Sequence, residues 1–101
     1  MLAHWAYHQG AIAAENAVNG SRLACDRSVI PAAMFGTPEV ATCGLSEECA
    51  AANGLAVKVA HVRLNANSKA VIDGAADGFV RILCDASDGR VLGANIVGPH
   101  A

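Results

Sequence analysis

Aromatic rings are nearly missing from this chain: one Trp, one Tyr and two Phe among 101 residues. A core without rings must come from aliphatic side chains, and alanine supplies 22 of the 54 apolar residues, against ten valines, seven leucines and five isoleucines. Burial is worth roughly 25 cal/mol per Å² of apolar surface, so an alanine-rich core is thin. Charge is scarce too. Seven Lys and Arg stand against nine Asp and Glu, a net charge of −2. No basic stripe is available to neutralise phosphates, so no nucleic-acid partner is expected. The apolar share of 53% nonetheless excludes a disordered tail. No uncharged apolar run approaches the ~20 residues of a membrane helix. No basic stretch precedes an apolar one at the N-terminus, as a secretory signal requires. The expected location is the cytoplasm, with no membrane partner.

Chemistry-bearing motifs are also missing. The ten glycines never fall two apart, so G-x-G-x-x-G cannot be written; a P-loop lysine and a G-x-S-x-G elbow are absent as well. The cysteines, Cys25, Cys43, Cys49 and Cys84, contain no C-x-x-C pair. In a reducing compartment they are expected as free thiols. His4 and His8 would share a helix face, but no close cysteine pair adds ligands, and no metal site is expected. The acidic residues stand at helix starts or beside Gly and Ser, where they stabilise turns.

What is present reads as alternating short elements. Residues 1–19 are alanine-dense, with Leu2, Trp5, Ala6, Ile12, Ala13 and Ala17 near a helical stripe, and Gly20 ends them. A polar connection over 21–29 leads to Ile30-Pro31, where a boundary is placed. Two short strands follow at 32–35 and 39–45, broken by Gly36-Thr37-Pro38. Ser46 then caps a short helix led by Glu47 and Glu48 and closed by Asn53-Gly54. Residues 56–64 alternate as a strand. Residues 65–77 form a loop with one helical turn near Ser68–Val71. Strands at 79–85 and 90–97 flank Ser87-Asp88-Gly89, a hairpin signal in which Asp-Gly supplies positive φ. Val80, Ile82 and Cys84 are expected on one apolar face, and Leu92, Ala94 and Ile96 on another. The fold class is α+β: an antiparallel sheet of three to five strands with one short helix packed on it, plus an N-terminal helix. The sheet's apolar face has too little here to cover it, which reads as an unfinished second layer.

At residues 30–50, IPAAMFGTPEVATCGLSEECA, the sequence resembles the opening of the C-terminal dimerisation domain of FAD-dependent pyridine nucleotide-disulfide oxidoreductases, dihydrolipoamide dehydrogenases in particular. That pattern reads I-P-x-x-x-F/Y-T-x-P-E-V/I-A-x-V-G-L-S/T-E-x-x-A. Gly36-Thr37 shifts its threonine by one place, and Cys43 replaces an aliphatic residue. MLAHWAYHQGAIAAEN resembles the family's preceding helix, and GFVRILCDASDGRVLGANIVGPHA its later hairpin, in the family's order. The resemblance implies that residues 1–29 are the last helix of an FAD-binding domain plus a linker, and that residues 30–101 are an incomplete dimerisation domain. It implies main-chain contacts from Met1, Leu2 and Ala3 to a flavin, and from the backbone at Ala33 and Met34 toward a nicotinamide. FAD and NAD(P) would belong to the intact parent, with none bound to this chain. The family's redox C-x-x-x-x-C and its catalytic His-Pro with a following Glu are not in these residues, so the chain is expected to be a non-catalytic part that self-associates as a homodimer or larger. A stand-alone interaction module of the same fold is the alternative.

Overall fold

The structure is a computed structural model and describes residues 2–26 and 28–101. Two compact units divide the chain at Ile30 and Pro31. The first carries helix α1, Ala3–Asn19, which ends where Gly20 takes φ 63° as its left-handed C-cap. Asn16 then reaches over the last turn. Its side-chain amide donates to the Leu23 carbonyl at 3.0 Å, and its carbonyl accepts from the Leu23 N–H at 2.8 Å. No described residue of α1 is buried; only Leu2, Trp5, Ile12 and Asn16 are half-shielded, so alanines of the stripe such as Ala6 and Ala13 lie exposed.

The second unit is an antiparallel sheet of β1 (Ala32–Met34), β2 (Val40–Gly44), β3 (Val57–Arg63), β4 (Phe79–Asp85) and β5 (Val91–Val97), in the order β1-β2-β5-β4-β3. Helix α2 (Glu47–Ala52) starts at Ser46, whose hydroxyl accepts from the Cys49 N–H at 3.1 Å. It stops at Asn53, followed by Gly54 at φ 67°. A 3-10 turn at Leu64–Ala66 leads into α3 (Ser68–Ile72), capped by the Asn67 side chain accepting from the Lys69 and Ala70 N–H groups. The helical turn read from the sequence near Ser68–Val71 is this element.

Strand register decides which side chains share a face, because successive residues alternate. Val80 lies opposite Ile96, and Ile82 opposite Ala94, which in turn faces Cys43. The two apolar sets expected on separate faces therefore largely merge on one, called here the open face. The reverse face carries Thr42, Asn95, Arg81, His61 and Leu83, and α2 packs there. Leu83 and Ala50 of α2 are the two buried apolar residues among those described, 1% and 0% exposed. Leu92 belongs cleanly to neither set. The ladder passes from Leu83↔Gly93 to Cys84↔Val91, a bulge that leaves Leu92 unpaired. Its carbonyl instead accepts from the Leu45 N–H at 2.9 Å. The chain leaving β2 thus crosses directly over Gly93. A Cβ there would lie 2.1 Å from the Leu45 carbonyl oxygen.

The β4–β5 connection is tied by local acids. Asp85 accepts from the Ser87 N–H at 2.8 Å and its hydroxyl at 2.5 Å, and Asp88 accepts from the Arg90 N–H at 2.9 Å. Only Gly89 of the Asp-Gly pair takes positive φ, 77°; Asp88 contributes its carboxylate rather than a left-handed backbone. Gly89→Val is therefore expected to cost about 1 kcal/mol or more beyond Ser87→Ala, since β-branched residues are strained at positive φ. Equal urea midpoints for the two variants would refute it. The Ser87 hydroxyl, then its N–H, hold the Asp85 carboxyl below its ordinary value of 3.8. Those bonds favour the ionised form. Their contribution is complete above that value and is lost as pH falls through the lower folded-state value. Ser87→Ala should flatten this acid-range dependence of stability in pH-resolved urea titrations.

Candidate functional site

The cross-strand register lines up Thr42, Asn95, Arg81 and His61 on neighbouring strands β2, β5, β4 and β3. They form a polar row across the face that α2 covers. Thr42 donates its hydroxyl to the Asn95 side-chain carbonyl at 2.9 Å. Arg81 makes an ion pair with Glu47 of α2. At the far end the His61 and Phe79 rings lie 5.0 Å apart. Arg81 separates two shallow hollows, one of about 360 Å³ lined by Ser46, Glu47, Glu48, Leu83 and Asn95, and one of about 250 Å³ lined by Val59, His61 and Phe79. Both Arg81 and Glu47 keep about 40% of their side chains exposed. Their pairing is therefore modest in energy, and its consequence is positional: it pins the start of α2 over Leu83. The row holds no nucleophile against a base. Periodicity had assigned Glu47 only to the helix dipole and His61 only to a strand face; finding the row needs the register, which no local pattern encodes.

The residues singled out earlier fall in both units. Met1 lies outside the described residues. Leu2 is the N-cap of α1 in extended backbone, φ −115° and ψ 123°, and Ala3 is the first helical residue. Leu2 offers no side-chain cap, and the first turn contains no acid. Ala33 and Met34 are on β1, the sheet's edge, and both are exposed. Among the described residues no three or more of His, Cys, Asp and Glu gather as a metal site. All four cysteines are free thiols. No described helix is long and apolar enough to cross a membrane.

Residues 30–101 match the family model of the pyridine nucleotide-disulphide oxidoreductase dimerisation domain. The chain belongs to that family. Its likeness to dihydrolipoyl dehydrogenases runs beyond the dimerisation-domain match. That of Halobacterium salinarum is 45% identical over 101 residues, covering 100% of this chain and 21% of the relative. That of Bacillus subtilis is 38% identical over 99 residues, 98% of this chain and 21% of the relative. The chain thus spans about a fifth of the length of the curated relatives it matches. Among solved structures, LpdA from Mycobacterium tuberculosis superposes with a TM-score of 0.77 at 29% identity, over 91% of this chain and 20% of LpdA. The HOCl-induced flavoprotein disulfide reductase RclA from Escherichia coli shares the fold, with a TM-score of 0.70 at 24% identity over 86% of this chain and 20% of RclA. The dimerisation domain of this family therefore accounts for the five-stranded sheet, the short helices and the α+β class.

Proposed function

We propose that this chain is the dimer-forming part of a dihydrolipoyl dehydrogenase-type flavoenzyme. Residues 1–29 would complete an FAD-binding domain, and residues 30–101 would contribute to the dimerisation domain of a cytoplasmic homodimer. The observation that carries this reading is 45% identity to a dihydrolipoyl dehydrogenase along the entire chain. In the assembled enzyme FAD would supply hydride transfer between NAD(P)H and a disulfide. The fit of this chain to that group rests on α1. A helix N-terminus presents unpaired N–H groups and partial positive charge, and here neither a side-chain cap nor an acid of the first turn offsets it. Main chain at Met1, Leu2 and Ala3 would thus favour a flavin ring carrying negative charge. Ala33 and Met34 would offer main chain to the nicotinamide from an edge strand that has a sheet partner on one side only. Neither nucleic acid nor membrane takes part.

The test is a chimera. The Bacillus subtilis relative, carrying this chain in place of its matching stretch, is expected to form a yellow homodimer that reduces lipoamide with NADH. The 101-residue chain alone is expected to be colourless and inactive. A chimera that folds but remains monomeric overturns the reading, as does FAD bound stoichiometrically by the isolated chain.

A further inference from the structure

The two faces of the sheet differ in chemistry. The α2 face carries the Thr42–Asn95–Arg81–His61 row and the Glu47 ion pair. Across the open face, by register, run Ala41 and Cys43 of β2, Ala94 and Ile96 of β5, and Val80 and Ile82 of β4, with no charged residue among them. Each of these six is half-exposed. Within the Pro31–Ala101 unit, α2 lies on the reverse face and α3 packs on the 3-10 turn before it. The small side chains Ala41, Cys43 and Ala94, with Ile96 and Pro31, leave a shallow hollow of about 120 Å³, and Ile82 and Val80 stand on the next strand.

We propose that a second copy of this chain seats on the open face, sheet against sheet about a twofold axis. The proposal rests on the self-association reading and names the surface that performs it. Stable interfaces exclude charge from their centre, which the open face satisfies and the α2 face does not. A twofold contact requires a self-complementary surface. Here the hollow at Ala41, Cys43 and Ala94 lies beside the aliphatic ridge at Ile82 and Val80, so each copy can offer its ridge to the other's hollow. Two sheets packed in this way stand about 10 Å apart with side chains interdigitated.

The cysteines report on this directly. Cys43 and Cys84 lie on the open face by register, and Cys49 is exposed on α2. The experiment labels the native 101-residue chain with N-ethylmaleimide at low and high protein concentration, maps the thiols by mass spectrometry, and measures the oligomer by sedimentation. Once monomer falls to about a tenth of the protein, labelling of Cys43 and Cys84 should slow about tenfold while Cys49 is unchanged. A dimer in which Cys43 and Cys84 react as fast as in the monomer assigns the contact elsewhere and leaves self-association standing. Equal protection at every concentration means the chain covers the face itself, and the proposal fails. A monomer throughout overturns both the surface and the self-association reading. Ala94→Glu, placing charge at the centre of the face, should abolish the dimer with the circular dichroism spectrum kept, and Val59→Glu on the reverse face should not. Dimers retained by a folded Ala94→Glu variant would overturn the proposal.

Discussion

Replacing Gly93 with alanine is expected to destabilise the sheet by about 3 kcal/mol or more, a large share of a small domain's stability. The added methyl would meet the Leu45 carbonyl oxygen at 2.1 Å and the Leu45 nitrogen at 2.9 Å, both of them backbone. Neither can swing aside as a side chain would. The Leu45–Leu92 hydrogen bond holds the crossing strand in place, and Gly44 beneath it is already turned to φ 81°. Relief requires the end of β2 to detach, which also releases the segment entering α2. Gly10→Ala is the contrasting control. It lies in α1 with nothing within 4 Å of the added atom, and is expected to favour the helix by about 1 kcal/mol. Urea unfolding followed by circular dichroism reads both. A Gly93→Ala midpoint equal to that of the unmodified chain would mean that β2 does not cross there.

The second large effect is expected at Leu83. It is the one large side chain fully buried among the described residues, so Leu83→Ala removes most of what a thin core possesses. Truncations of this kind cost about 2–5 kcal/mol, the upper part of the range applying where the surroundings cannot collapse. Collapse is restricted here, because Arg81 and Glu47 pin α2 above the site. Leu83→Met, which nearly conserves volume, is expected to stay within about 1.5 kcal/mol. If Leu83→Ala melts with the unmodified chain, the contact of α2 with the sheet is not the core.

Much of the fold is legible because its signals are local. Ser46 accepts the N–H three residues on, Gly20 turns left-handed after α1, and Gly89 does so after Asp88; each acts within a few bonds of its own position. The paired segments IPAAMFGTPEV and GFVRILCDASDG carry the family resemblance, and the family match confirms it. Partnership across the sheet is not local. Alternation shows that Val80 and Ile82 share a face, but only the ladder shows that Ile96 and Ala94 join them. The bulge that drops Leu92 out of register leaves no mark in composition. The polar row was hidden for the same reason. Arg81 meets Asn95 fourteen positions later and His61 twenty earlier, and its pairing with Glu47 spans thirty-four residues.

The order β1-β2-β5-β4-β3 has a consequence for synthesis. The strand made last stands at the centre, and it is the only neighbour shared by the early pair β1–β2 and the later pair β3–β4. Until Val97 leaves the ribosome, the nascent unit is two separate hairpins, and an isolated two-stranded hairpin is marginal in water. β2 in particular waits for a partner more than fifty residues downstream, with Val40 meeting Val97. Folding of this unit is therefore bound to the end of its translation. A ribosome stalled before β5 would hold an unassembled sheet, with its strand edges open to other nascent chains.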